Sequence, residues 1–277
     1  MTPMENDDAA AFVGSIPENY DRYLGPFLFE PFARDLVARV DWVPDARVLE
    51  LACGTGRLTA QLVGELTGGQ KLIATDLNAD MVGFARSVVP ASDALVWQTA
   101  DAANLSFDDE QFDTVVCQFG LMFLPDKAAA LREWHRVLAP GGQILVGVWD
   151  ALEHNPAPAI VHQTVVAAFP DDPPLFLTVP YSMHDRHALR ALVEPAGFVD
   201  IAIHEINLVG HSPTAADVAR GFVYGSPLFT SLSARAPHRI DEIHRLASHA
   251  LATRLGDHPM RSPLRALTIS ARRATRQ

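Results

Sequence analysis

At 277 residues, with 48% hydrophobic and 20% charged side chains, the chain has the balance of an ordinary globular protein and enough apolar residues for a sizeable core. Its formal net charge of −11 repels polyanions, which argues against nucleic acid as a partner and favours a small molecule. The two cysteines, Cys53 and Cys117, lack the CxxC or Cys/His spacing of a zinc site, so no metal is expected.

In chain order, the acidic stretch Met1–Asp8 does not read as a signal peptide, and no apolar run approaches the roughly 18 residues that cross a bilayer. A cytoplasmic protein without stable membrane insertion is the expectation. Residues 17–40 read as one or two helices carrying Tyr20, Tyr23, Phe27, Phe29 and Phe32. From about residue 46 to 149, short apolar runs at 47–51, 71–76, 94–99, 112–118 and 143–149 alternate with helical stretches at 56–66, 78–88 and 127–138. That alternation predicts a parallel α/β sheet. Pro140-Gly-Gly142 should end the last of these helices and turn the chain into the next strand. Further on, helices are expected at 157–169, 185–196, 215–223 and 238–255, with strands at 198–207 and 266–271. The arginines at 261, 265, 272, 273 and 276 read as a solvated end. The expected organisation is an N-terminal helical cap over 1–45, then one domain over 46–277 with cover insertions at about 150–184 and 208–263.

The segment Val48–Gly56 carries the strongest chemistry. Glycines where a strand ends let the backbone turn tightly and approach a ligand, and the helix that follows offers free N–H groups. A dinucleotide fingerprint would need a small residue where Thr59 stands and would not ask for Glu50 just before the loop. A carboxylate there can receive the ammonium group of an amino-acid-bearing ligand. Asp76 ends the next strand about 20 residues after the glycines, the spacing that puts a carboxylate on ribose hydroxyls; its alternative role is to cap the helix after Asn78. Asp101, after the third strand, can accept the exocyclic amine of adenine. The end of the run Phe112–Phe119 lies beside the glycine loop if that strand pairs with the first.

With these motifs in order, Glu50-x-Ala52-x-Gly54-x-Gly56, Asp76, Asp101-Ala102 and Arg136–Gly142, the stretch 46–149 resembles class I S-adenosylmethionine-dependent methyltransferases. Within that class it is most similar to the group that includes the ubiquinone/menaquinone-biosynthesis enzymes. The resemblance implies a Rossmann-like seven-stranded sheet, mostly parallel with an antiparallel last strand and a helical cover. It implies S-adenosylmethionine as cofactor, leaving as S-adenosylhomocysteine. Carried over by position, it puts Ala52 and Gly54 at the methionine part, Asp76 and Leu77 at the ribose, and Met81, Asp101 and Ala102 at the adenine, with Gly56 also among the cofactor-binding residues. Gln118 would line the methionine end beside the sulfonium, and Tyr20 and Tyr23 match a helix that closes over the cofactor. One departure is Ala52, where the family often has glycine.

The activated methyl group asks the protein mainly to align a nucleophile and exclude water. A phenol or enol acceptor would also profit from a base near neutrality, for which His154 is the candidate, with a hydrogen-bonded loop residue as its alternative role. Tyr23, Trp149, Phe222 and Tyr224 are the candidates for contacting an apolar, ring-bearing acceptor. A homodimer is compatible with the sequence. Two other classes compete: a protein that holds S-adenosylmethionine as a signal or scaffold without transferring its methyl group, and a nicotinamide-dependent oxidoreductase, which Glu50 and Thr59 disfavour.

Overall fold

The structure, a computed structural model, describes residues 16–276, so the acidic run at 1–8 lies outside the described residues. The chain forms two compact units. One takes in Phe32–Trp149, Met183–Ile206 and residues 266–276; the other takes in 16–31, Asp150–Ser182 and Asn207–Arg265.

The first unit is organised by a seven-stranded sheet of order β3-β2-β1-β4-β5-β7-β6. Its strands are β1 (Arg47–Leu51), β2 (Lys71–Asp76), β3 (Leu95–Thr99), β4 (Phe112–Gln118), β5 (Leu138–Trp149), β6 (Phe198–Ser212) and β7 (Met260–Arg273); the last two run on into residues of the second unit. β1 pairs in parallel with β2 and β4, β2 with β3, and β4 with β5, while β7 lies antiparallel against β5. This is the Rossmann-like sheet with an antiparallel seventh strand that the resemblance implies. β1 is buried from Val48 onward on both faces, which is why Val48, Leu49 and Leu51 do not alternate with polar residues and Glu50 is a buried charge-bearing exception.

The parallel strands are joined by α3 (Arg57–Glu65), α4 (Ala79–Val88) and α5 (Lys127–Val137). α5 buries Ala130, Leu131, Trp134 and Val137, spaced three and four apart, and Asp126 caps it by accepting the Ala129 N–H at 2.8 Å. On one side of the sheet Ala33, Leu36, Val37 and Val40 pack with Val48, Leu58, Leu62, Leu72, Val116 and Leu145. The N-terminal helical stretch thus divides: α1 (Ile16–Asn19) and a π-helical segment (Tyr20–Phe29) lead into α2 (Glu30–Val37), whose apolar face belongs to the sheet's core. Pro26 has no N–H to give, and the Glu30 N–H reaches back five residues to the Gly25 carbonyl, the bonding that widens a helix into the π form.

Two expectations are corrected. Pro140–Gly142 does not separate α5 from its strand: α5 stops at Val137 and β5 starts at once, with a bulge between the pairs Phe112–Leu138 and Thr114–Gln143 in which one residue of β4 faces four of β5. Nor is the arginine-rich end a solvated tail. Arg273 Nη1 donates to the carbonyls of His135, Arg136 and Leu138 at 3.0, 3.0 and 2.8 Å, satisfying the orphan acceptors at the end of α5, while its Nη2 meets Glu110 at 2.9 Å. The first unit also contains α7 (Arg186–Val193).

The second unit is helical: α6 (Pro156–Ala168), α8 (Ala215–Tyr224), α9 (Leu228–Arg235) and α10 (Ile240–Leu255), with α8 packed on α10 and on the π-helical segment, and α6 packed on α10. The helix α9 has no counterpart among the expected elements. No helix of the described residues is long and apolar enough to cross a membrane.

Candidate functional site

The carboxyl ends of β1 and β2, adjacent in the parallel sheet, bring Glu50, Ala52, Gly54 and Asp76 together. After Leu51 the chain leaves β1 through three residues with positive φ, Ala52 (54°), Gly54 (54°) and Gly56 (85°), and Gly56 then opens α3. The two glycines serve different ends. A Cβ on Gly56 would lie 2.6 Å from Val89 Cγ2 and 3.2 Å from Ala85 Cβ, so its hydrogen is what lets the loop pack on α4. A Cβ on Gly54 would meet nothing within 4 Å, so this backbone faces open space.

Asp76 holds that loop in place. Its Oδ2 accepts the Gly54 N–H at 2.8 Å and its Oδ1 the Asn78 N–H at 2.9 Å. The cap of α4 is Asn78, whose Oδ1 accepts from Asp80 N–H at 2.8 Å and Met81 N–H at 3.4 Å, so the capping role weighed for Asp76 belongs to its neighbour. Burial pushes the Asp76 carboxyl above its usual range, and the N–H groups of Asn78, Gly54 and Leu77 pull it back.

Glu50 is 1% exposed, and among the described residues its Oε2 has no hydrogen-bond partner; Thr59 Oγ1 is buried unpaired as well. Burial pushes the Glu50 carboxyl up to about 8, Thr59 offsets part of that rise, and the Asp76 charge adds to it. An unpaired buried carboxylate oxygen costs stability unless a ligand supplies its partner. The Thr75 hydroxyl donates to the Glu50 carbonyl at 2.8 Å, tying the two strand ends together.

Beyond β2, Leu77 is 64% exposed while Met81 is 3% exposed in the first turn of α4. The chain after β3 returns to β2 through Ala100 N–H to Asp76 O at 3.0 Å, which brings Asp101 to the same end of the sheet. Asp101 is exposed and uses one oxygen, Oδ1, to accept the Ala103 N–H at 2.8 Å. Ala102 is fixed through its carbonyl, which takes the Trp134 indole N–H at 2.8 Å. Gln118 ends β4 one residue past Cys117, which is in register with Leu51, so the fourth strand does end beside the glycine loop. Trp149 is 3% exposed, stacked on Phe119 with ring centroids 3.9 Å apart and edge-on to Phe32 at 5.2 Å.

The resemblance implies S-adenosylmethionine here, and the residues fit it. The orphaned Glu50 oxygen suits an ammonium group, Gly54 leaves room for a close ligand, and the spare acceptor capacity of Asp76 and Asp101 suits hydroxyl and amine donors.

Tyr20, Tyr23, His154, Phe222 and Tyr224 belong to the other unit. Tyr20 stacks on Phe29 at 4.7 Å, and Phe222 is 3% exposed. His154 was legible in the sequence, but its partner Asp150 was not. His154 Nδ1 lies 3.0 Å from Asp150 Oδ2, and Asp150, only 6% exposed, also accepts the Ala151 N–H at 2.7 Å and has Arg265 Nη1 at 3.7 Å. Asn155, fully buried, locks the turn by donating to the Ala151 and Arg265 carbonyls and accepting the Arg265 N–H at 2.9 Å. The signal was present as an acidic residue four positions before the histidine, ambiguous until a 3-10 turn at Leu152–His154 folds it back.

Comparison with known proteins bears on family and fold. The model of a methyltransferase domain matches residues 49–146. The demethylmenaquinone methyltransferase of Lactiplantibacillus plantarum is 36% identical over 137 residues, covering 47% of this chain and 58% of that enzyme's length. The ubiquinone/menaquinone biosynthesis C-methyltransferase of Proteus mirabilis is 35% identical over 175 residues, covering 56% and 67%. Among solved structures, Haemonchus contortus phosphoethanolamine N-methyltransferase 2, in complex with S-adenosyl-L-methionine, shares the fold with a TM-score of 0.63 at 15% identity, over 99% of this chain and 61% of that one. The YcgJ protein of Bacillus subtilis does so with a TM-score of 0.57 at 18% identity, over 89% and 100%.

Proposed function

Because the chain belongs to the class I S-adenosylmethionine-dependent methyltransferases, we propose that it transfers the cofactor's methyl group to a small, ring-bearing metabolite with an ionisable hydroxyl. The observation that carries the cofactor part of this reading is the buried Glu50 oxygen without a partner, next to a glycine loop held by Asp76, and the His154–Asp150 pair supports a hydroxylated acceptor. When bound, the cofactor supplies an already activated methyl group.

The chain's own residues have the following roles. Glu50 ionises and receives the ammonium group, Asp76 accepts ribose hydroxyls with the lone pairs its two backbone donors leave, and Leu77 offers an apolar surface beside them. The free oxygen of Asp101 takes the adenine amine, next to Ala102 and Met81. Gln118 is assigned to the methionine end of the cofactor and Trp149 to the acceptor; of the helical unit's residues, Tyr20 is assigned to the cofactor and Tyr23, Phe222 and Tyr224 to the acceptor. His154 accepts the acceptor's proton at Nε2 as the acceptor atom attacks. Asp150, holding Nδ1–H, keeps the imidazole in the tautomer that leaves Nε2 basic. A phenolic or quinol ring is the first acceptor to test, since the relatives' names place them in quinone biosynthesis.

The test is labelled methyl transfer from S-adenosylmethionine into a fractionated metabolite extract, with mass spectrometry of the product. Formation of S-adenosylhomocysteine together with a ring compound enlarged by one methyl group supports the reading. Labelling confined to acyclic amines or to macromolecules overturns it.

A further inference from the structure

Tyr23 and Tyr224 each have a guanidinium against the ring. Arg220 Cζ lies 5.8 Å from the Tyr23 ring centroid and 5.2 Å from that of Tyr224, and Arg22 Cζ lies 5.3 Å from the same Tyr23 ring. Arg220 and Tyr224 stand four residues apart on α8 and so share one face, and Tyr23 sits on the π-helical segment packed against that helix.

Both arginines are exposed, and among the described residues neither forms an ion pair. In a chain with 33 acidic and 22 basic residues, an arginine has carboxylates in excess to choose from. Arg220 instead donates from Nε to the neutral amide oxygen of Asn19 at 3.3 Å. The carboxylate on this face, Asp241, is engaged by the Tyr224 hydroxyl, and His244 packs against the Tyr224 ring at 5.7 Å, so Tyr224 is held from two sides.

The rings restrict the plane of the Arg220 guanidinium, and with Nε on Asn19 its Nη1/Nη2 edge has no partner among the described residues. That edge is a fork matched to two oxygens of one carboxylate, and because the rings pre-organise it, little rotamer entropy is lost on binding. The neighbouring tyrosines add faces and edges on which a planar acid can lie.

We propose that Arg220, framed by Tyr23 and Tyr224 and assisted by Arg22, is a binding site for the carboxylate of a small aromatic acid. The site lies wholly within the helical unit, and its occupation is read by direct binding without any methyl transfer.

The test is calorimetric titration of the full chain with benzoate, and with benzamide as the neutral isostere. Benzoate should bind the wild type and benzamide should not. Arg220→Gln should weaken benzoate by about 10-fold or more, and Arg220→Lys, which keeps the charge but loses the fork, should weaken it less. Arg86→Gln, which removes an exposed charge on α4, should leave the titration unchanged. If Arg220→Gln lowers the melting temperature, Arg22→Gln gives the second reading, with an expected loss of roughly 3-fold. Equal binding of benzoate and benzamide, no benzoate binding to the wild type, or an isotherm indifferent to both arginine variants overturns the proposal.

Discussion

The Gly54 N–H donates to Asp76 Oδ2 at 2.8 Å, across 22 residues of sequence. A single carboxylate therefore sets the shape of the glycine loop while the ribose role asks it to keep lone pairs for a ligand. Replacing Asp76 by alanine removes both functions. Cofactor affinity, measured by calorimetry with S-adenosylhomocysteine, should fall by about 10- to 100-fold, the scale of a charge-assisted hydrogen bond. Asp76→Asn, which keeps one acceptor oxygen, should fall between the variant and the wild type.

On the proposed reading, Glu50 links proton and cofactor. Its carboxyl rises from about 4.5 to about 8 on burial. At low pH, folded and unfolded chains both carry the proton and the contribution to stability is complete. As pH rises towards 8 the unfolded chain ionises first, so stability is lost across that window. Glu50→Gln should therefore raise the melting temperature of the ligand-free protein, with a gain that grows between about pH 5 and about pH 8. The cofactor's ammonium reverses the preference, so binding near neutrality should release a proton. Calorimetry in buffers of different ionisation enthalpy would show this, and Glu50→Gln should abolish the release.

Three positions of the loop separate stability from binding. Gly56→Ala meets Val89 at 2.6 Å in a left-handed conformation and should cost about 2–4 kcal/mol in chemical denaturation. Gly54→Ala meets open space, so its cost in stability is limited to backbone strain of about 1 kcal/mol, while its methyl group takes the ligand's room and cofactor affinity drops. Ala52 at φ 54° already carries that strain, and Ala52→Gly should stabilise the fold by about 1 kcal/mol.

His154 and Asp150 should act as a unit. His154→Gln is expected to lower kcat by about 10²-fold or more with a hydroxylated acceptor. Asp150→Asn keeps the shape of the side chain but no longer holds the Nδ1 proton as a carboxylate does. It should lower kcat with KM little changed, because the ring is no longer held in one orientation and tautomer.

The strands that carry the chemistry were legible because burial on both faces leaves an apolar run that a helix does not mimic at that length. β1, β2 and β4 fall where expected, and β3 differs by one residue. Glu50, Gly54 and Asp76 were legible because their spacing reports a strand–turn–helix crossing. Features that depend on contact across the chain were not legible. Arg273 looks like a tail charge until α5 needs its last carbonyls satisfied, and Asp150 looks like any acid after a strand until the turn at 152–154 brings His154 onto it. The length of β5 was misjudged because proline and glycines signal a break, whereas the pairing with β4 and β7 absorbs them as a bulge.

The antiparallel pairing of β7 with β5 has a consequence for how the molecule comes into being. Gln143 to Trp149 find their partners in Arg272 to Ala266, more than a hundred residues later in synthesis. Until that segment leaves the ribosome, a long apolar strand is left with one unpaired edge, the template most prone to recruit a neighbouring nascent chain. The yield of soluble protein should therefore depend on how quickly translation passes through residues 207–259, which end β6 and form α8, α9 and α10, and slowing it there should lower that yield.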